Sequence, residues 1–296
     1  MEAIPFAEIQ RALDYRCAIA RMRDAIAAFR AGECDMPMPM HLDIAPERGE
    51  VHIKSSYRRG GRYFALKVAS TFPNNRARGI STGSGMMLLC SAETGQPVAL
   101  LADEGHLTDV RTAAVAAMVA QDLGRNDTAL GILGSGIQAR LQARMHAEVL
   151  PLERIMLWGR TPERAESCCR DIADALPSVE VTIAATPADV AGEARLIVTT
   201  TASRAPLLFA RDLQPGTHIS AVGADSPGKQ ELDAEIVRRA QTLWLDSPEQ
   251  CTRLGELQHI QSSERTADAP YSLADFTGLG VEDLYIAEYV YENRKV

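Results

Sequence analysis

Between Thr128 and Arg140 the chain reads Thr-Ala-Leu-Gly-Ile-Leu-Gly-Ser-Gly-Ile-Gln-Ala-Arg, an apolar run that breaks into glycines and resumes as a helix. Gly134, Gly136 and Ala139 keep the G-x-G-x-x-G/A spacing of a dinucleotide-binding turn. There the first glycine makes the tight bend, the second admits a pyrophosphate to backbone N–H groups, and the small third residue lets helix and strand pack closely. After the helix, Arg154–Trp158 reads as a short strand ending in Gly159-Arg160-Thr161, the place where such a unit reads the ribose. An NAD-selective site usually puts an acid there. This tripeptide has none, whereas Arg160 and Arg164 offer guanidinium forks that suit a 2′-phosphate. The pattern predicts cofactor binding by Gly134, Gly136, Arg160, Thr161 and Arg164, with NADP(H) preferred and NAD(H) the second choice. The competing reading makes the two arginines solvated side chains at the start of the next helix.

A second set of candidates is cationic. Lys67 lies inside the apolar run Tyr63–Ala69, and Lys54 lies in the preceding alternating run Val51–Tyr57. A lysine in such a run needs a partner or a task if it is buried, and snorkels if it is at a sheet edge. Arg111 and Thr112 follow the expected start of a helix at Leu107, with Thr108 as its cap and Asp109 in its first turn. That location favours anions, with an ordinary surface arginine as the alternative. Asp225 and Lys229 fall in a polar loop after the strand that begins at Thr217. Threonines close the strand Leu196–Thr201, and ligands bind at such carboxyl ends in open α/β sheets.

These side chains require a particular scaffold. Residues 1 to 31 show helical spacing, and short alternating runs follow at 51–57, 63–69, 85–90 and 97–101, which predicts a mixed sheet. From Thr128 onward strands and helices alternate, with Thr242–Leu245 as the last strand and a closing helix over Val281–Tyr291. The fold class is therefore α/β with a Rossmann unit.

Composition narrows the partners. A net charge of −8 and a pI near 5.4 argue against nucleic acid, whose phosphates call for a basic surface. No apolar run is long enough to cross a bilayer, and the six cysteines lack CxxC spacing, so a cytoplasmic protein with reduced thiols and no membrane partner is expected. The scattered histidines predict no metal site.

Several landmarks occur in a fixed order: Lys67 with Phe72-Pro-Asn-Asn75, Glu93-Thr-Gly-Gln-Pro97, Leu107-Thr-Asp-Val-Arg-Thr-Ala-Ala114, Gly134-Ser-Gly-Ile-Gln-Ala139 and Val222-Gly-Ala-Asp-Ser-Pro-Gly-Lys-Gln-Glu-Leu232. Together they resemble the ornithine cyclodeaminase/mu-crystallin family over nearly the whole chain. The stretch Glu50–Tyr57 with Gly83–Met86 is similar to its ectoine-utilisation branch. The resemblance implies a Rossmann domain, residues 116–274, inserted into a mixed α+β substrate-binding and dimerisation domain formed by 1–115 and 275–296, usually as a homodimer. It implies hydride exchange at the α-carbon of a small amino or imino acid.

By that resemblance Lys67 is the catalytic, substrate-side lysine and Arg111 reaches both substrate carboxylate and cofactor. Thr82, Thr112, Ile137, Gln138, Thr199, Val222 and Lys229 match cofactor-contacting positions. Asp225 matches the acid that serves cyclisation in the cyclodeaminases and is a second catalytic candidate. Two departures shape the expectation. Met36-Pro-Met-Pro-Met40 lacks the family's carboxylate-binding arginine, a charge Lys54 is placed to replace. The ribose-reading acid is absent as well, which leans toward net reduction. The expected activity is an NAD(P)H-dependent imino-acid (ketimine) reductase or amino-acid dehydrogenase. The alternatives are a cyclodeaminase-type lyase and a non-catalytic NADP-dependent binding protein.

Overall fold

Side-chain alternation with period two organises the N-terminal half. Its elements are β1 (Glu2–Pro5), α1 (Phe6–Ala12), α2 (Tyr15–Arg30), β2 (Cys34–Asp35), β3 (Met40–Ile44), β4 (Gly49–Arg58), β5 (Tyr63–Thr71), β6 (Gly83–Ser91), β7 (Pro97–Ala102) and α3 (His106–Asp122). The computed structural model describes residues 1–294. It divides the chain into two units, Met1–Val115 with the segment from Leu279, and Ala116–Gly278. In the first unit the strands form one mixed sheet, β1-β7-β6-β5-β4-β2, with β3 also on β4. Among the described residues β1 and β7 pair in parallel and the other pairings are antiparallel. Ala65, Lys67, Met87, Leu89 and Ala99 line the buried face, while Leu66, Val68 and Leu88 on the opposite face are only half-buried.

Local chemistry explains the helices. The Asp14 carboxylate accepts the Cys17 N–H at 2.9 Å, which caps α2, and Ala18, Ile19, Met22, Ala25 and Ile26 form its buried stripe. One expected cap is corrected. Asp103, not Thr108, serves the start of α3, accepting the Leu107 N–H at 2.8 Å, and Thr108 lies inside the helix. An acid four residues upstream can reach round the Gly105 turn, a contact that local sequence patterns do not display.

The second unit contains β8 (Ala129–Leu133), α4 (Ile137–Val149), β9 (Arg154–Trp158), α5 (Pro162–Ala175), β10 (Glu180–Ile183), α6 (Pro187–Glu193), β11 (Leu196–Thr199), β12 (Arg204–Leu208), β13 (His218–Ala221), β14 (Gln230–Leu232), α7 (Ala234–Arg239), β15 (Ala240–Leu245), α8 (Pro248–Leu254) and β16 (Ala269–Asp275). Seven strands make a sheet in the order β10-β9-β8-β11-β13-β16-β15, parallel throughout. The order reverses at β8 and β11, the crevice where open α/β sheets bind ligands. Strand β16 corrects the expectation that Thr242–Leu245 is the last strand. Pro270 disguises it, because proline argues against an interior strand, and the β15–β16 register shifts beside it, between Ala240 and Thr242. The last described helix is α9 (Gly280–Asn293), which packs on β4, β5 and β6 and is backed by α2.

Buried carboxylates replace apolar packing along the carboxyl edge of this parallel sheet. Asp275 accepts the N–H groups of Glu256 and Leu257, each at 3.1 Å, and Glu256 accepts that of Glu231 at 2.7 Å. Burial pushes the Glu256 carboxyl up to about 9 and those of Glu231 and Asp275 up to about 7. A carboxyl whose folded pKa is raised contributes full stability below its unfolded value and loses it as pH rises toward the folded one. Glu256→Gln, which cannot ionise, is therefore expected to stabilise the protein by about 1–3 kcal/mol at pH 8, with the gain vanishing near pH 4.5. Urea unfolding of both proteins across that range checks it.

Candidate active site

Lys67 sits in the middle of the first sheet, on β5, opposite Lys54 on β4 and Met87 on β6. Only 2% of it is exposed, so the edge-snorkelling alternative does not apply. Its Nζ lies 2.9 and 3.1 Å from the two carboxylate oxygens of Asp283. Arg111, also buried, donates from Nε to Asp283 at 3.0 Å and from Nη1 to Glu282 at 2.8 Å, so it is not a surface arginine. One carboxylate thus bridges two cations from different elements.

The acids come from the first turn of α9, and its position is set by close packing. A Cβ on Gly280 would stand 2.8 Å from the Ser55 carbonyl, and Ser56 Oγ donates to the Gly280 carbonyl at 2.7 Å. Met36 brings its Sδ to 3.1 Å from the Gly280 N–H, so the segment that lacks the family's arginine docks at this helix start. Lys54 is half-buried and near enough to Asp283 to affect its ionisation. Burial lowers Lys67, Asp283 raises it, and Arg111 and Lys54 lower it again, leaving it at about 7. Burial alone would raise Asp283, but Lys67, Arg111 and Lys54 outweigh it and hold that carboxyl below its usual range. The cluster can grip an anion and exchange a proton near neutral pH.

Glu282 and Asp283 escaped the sequence reading. Two acids in a helix's first turn are ordinarily explained by the helix dipole. The missed signal is the unbroken apolar run Leu284-Tyr-Ile-Ala287 directly after the acids, which covers a full turn of α9, so acids packed beside it are buried and need partners. Thr112 follows Arg111 on α3 and is half-buried, as is Thr82 in the turn before β6, whose carbonyl accepts the Phe72 N–H at 2.7 Å.

In the second unit the glycine turn lies at the β8–β11 crevice. Gly134 has φ +128°, and a Cβ there would meet Thr200 Oγ1 at 2.2 Å, so only glycine fits. Gly136, the N-cap of α4, has ordinary extended φ and ψ, and a Cβ on it would meet no protein atom within 4 Å. Nothing in the protein requires glycine at 136. A pyrophosphate approaching the α4 N-terminus would need that space, so the turn fits a dinucleotide. Arg140 fastens the turn, donating to the carbonyls of Ser135 and Gly136 at 3.0 and 3.1 Å while Nε pairs with Asp171 at 2.8 Å. Ala139 is fully buried against the sheet, Ile137 is 52% exposed and Gln138 is half-buried.

At the end of β9, Gly159 faces Ser135, whose Oγ would lie 2.8 Å from a Cβ there. Arg160 and Arg164 are exposed, with no ion pair to either among the described residues, and Thr161 precedes the first turn of α5. Across the crevice Thr199 is fully buried, and its hydroxyl donates to Glu231 at 2.7 Å. The Val222 N–H bonds the Thr199 carbonyl at 3.0 Å. Asp225 is exposed and accepts from Lys229 Nζ at 2.7 Å and Ser226 Oγ at 3.0 Å. Lys67 and Arg111 thus belong to one cluster, and Asp225 with Lys229 to a separate ion pair in the other unit. Among the described residues no His, Cys, Asp or Glu cluster could hold a metal ion, and no helix is long and apolar enough to cross a membrane.

Known proteins share this architecture. A Rhizobium meliloti protein provisionally assigned as a dehydrogenase is 37% identical over 92% of this chain and 89% of its own. An archaeal alanine dehydrogenase, solved as a dimer with bound NAD, superposes with a TM-score of 0.90 at 27% identity, over 99% of this chain and 95% of that one. The iminosuccinate reductase of Paracoccus denitrificans, in complex with NAD+, gives 0.88 at 27% identity, over 100% and 96%. Residues 6–296 match the model of the ornithine cyclodeaminase/mu-crystallin family. With the two-cation cluster, the glycine turn and this match in agreement, the chain belongs to the ornithine cyclodeaminase/mu-crystallin family.

Proposed function

We propose that this protein is an NAD(P)H-dependent imino-acid (ketimine) reductase of small carboxylate substrates, able to run in reverse as an amino-acid dehydrogenase. The observation that carries the reading is Lys67, buried, titrating near neutrality and sharing the Asp283 carboxylate with Arg111. Arg111 binds the substrate carboxylate through its guanidinium, with Lys54 supplying the further positive charge that the Met36–Met40 segment lacks. Lys67 in its ammonium form donates the proton that the imine nitrogen needs, while Asp283 holds Nζ in one place. Asp225 is the second candidate proton source. The glycine turn of α4 would hold the pyrophosphate of a dinucleotide, whose reduced nicotinamide would supply the hydride. Dehydrogenase and imine-reductase relatives support this class of chemistry.

The test is oxidation of NADPH and NADH with 2-oxo acids plus ammonia or methylamine, and with cyclic imino acids. Turnover with Arg160→Ala losing about tenfold toward NADPH and little toward NADH is expected for an arginine on a 2′-phosphate. Equal loss toward both overturns the NADP preference. Ammonia release from ornithine without net cofactor oxidation would establish the lyase reading in place of the reductase. Membership of the ectoine-utilisation branch, suggested by Glu50–Tyr57 and Gly83–Met86, and a cytoplasmic location complete the proposal.

A homodimer is part of the same reading. Met40, Leu42 and Ile44 alternate along β3 on the sheet face opposite Lys67 and are 57%, 46% and 39% exposed; Met86 on β6 is 46% exposed. A contiguous apolar face of this kind suits a second copy across a two-fold axis, as in the dimeric archaeal relative. Leu42→Glu is expected to convert a dimer into monomers in light scattering. A wild-type monomer, or a dimer unaffected by the charge, would assign this face another role.

A further inference from the structure

The most specific landmark of the sequence, Val222 to Leu232, contains Glu231, which has no part in the mechanism above. It is fully buried on β14, yet it accepts bonds from two loops that leave different strands of the parallel sheet. From the β11 side come Thr199 Oγ1 at 2.7 Å and the Thr201 N–H at 2.5 Å, and from the β13 side comes the Gly223 N–H at 2.8 Å. Both backbone donors lie just past their strands, where the ladder offers no acceptor, and a carboxylate's two oxygens satisfy them together.

The fit is tight. A Cβ on Gly223 would stand 2.1 Å from the Thr201 carbonyl and 2.5 Å from Glu231 Oε2, so three segments meet at a point where only glycine passes. Glu231 is itself held from behind, its N–H bonded to Glu256, whose own N–H is bonded to Asp275. Next to Thr199 and Thr201, Thr200 packs on Gly134 of the glycine turn. The clamp therefore lies at the strand ends of the second half of the sheet, which in a doubly wound fold serves the second mononucleotide.

We propose that Glu231 is a positioning residue for the nicotinamide half of the cofactor. It fastens the Thr199–Thr201 segment to Val222–Gly223, so that their backbone groups meet the nucleotide at a fixed spacing. The inference rests on the reading that a dinucleotide docks at this edge.

The full-length protein is titrated calorimetrically with NADH, NADPH and ADP-ribose, for wild type, Glu231→Gln and Thr199→Val. The Thr201 and Gly223 N–H groups use different oxygens of Glu231, so in Glu231→Gln, which keeps one oxygen, one of the two loses its acceptor. Its dinucleotide affinity is expected to fall about tenfold or more, with ADP-ribose affinity within about threefold of wild type. Thr199→Val removes a single donor and is expected to show the same selectivity at about threefold or more, which decides the matter if Glu231→Gln fails to fold. Unchanged dinucleotide affinity in a folded variant, or equal loss for all three ligands, overturns the proposal in favour of a purely structural carboxylate. A wild-type protein that binds none of the three removes instead the dinucleotide reading beneath it.

Discussion

Lys67→Ala is expected to lower kcat/KM for imine reduction by a factor of at least about 10³ while dinucleotide affinity stays near wild type. The size follows from two losses at one position: the proton donor, a term of about 10²–10⁴, and a charge-assisted contact to the substrate. Cofactor binding survives because the glycine turn belongs to a separate unit of the chain. The pH profile gives a second check. Burial and the neighbouring cations lower Lys67 to about 7, so kcat/KM for reduction should fall as pH rises through that value, and the reverse oxidation should rise. Lys67→Arg, which stays protonated, should retain substrate binding better than Ala and lose that inflection. A wild-type profile flat from pH 6 to 9, or Lys67→Ala with near-normal turnover, would remove Lys67 from the chemistry and leave Asp225 to be tested as the proton source.

The second large effect belongs to Asp283. Asp283→Asn keeps the shape but removes the charge that bridges Lys67 and Arg111, leaving two buried cations facing one another. Breaking such a pair costs about 3–5 kcal/mol when the remaining charge stays buried. Lys67 can relieve part of this by losing its proton, since its lowered pKa falls further once the Asp283 contribution is gone. The sign of the pH dependence follows. At pH 6 wild-type Lys67 is largely protonated and paired, so the variant loses the most there. By pH 9 the lysine is neutral in both proteins, and only the Arg111 contact is missing. Denaturant unfolding at the two pH values measures the difference. A cost that is equal at both, or larger at pH 9, would mean that Lys67 does not carry its charge against Asp283. Because a neutral Lys67 has no proton to donate, reduction at pH 7 should fall with it, and part of the activity should return at lower pH.

The Rossmann-like half was legible in the sequence because its determinants are local. A glycine turn, its small third residue and the strands on either side all fall within thirty residues, and the backbone conformation that demands glycine at 134 is written in the residue type itself. Lys67 and Arg111 could be named from local context too, the first as a charge inside an apolar run and the second by its place near an expected helix start. Their partners could not. Asp283 is 216 residues from Lys67 and 172 from Arg111, and two acids opening a helix look like dipole compensation until α9 is seen to be buried on nearly every side.

Glu231 makes the same point within one motif. Its place in a specific landmark was visible from the sequence alone, but its work was not, because the donors it satisfies come from loops that only the strand order β8-β11-β13 makes neighbours. The sequence by itself determined which residues bend, cap and carry charge. Tertiary structure decided which of those charges are buried and against whom, because the cost of burying a charge is met by partners that the chain brings together only by folding.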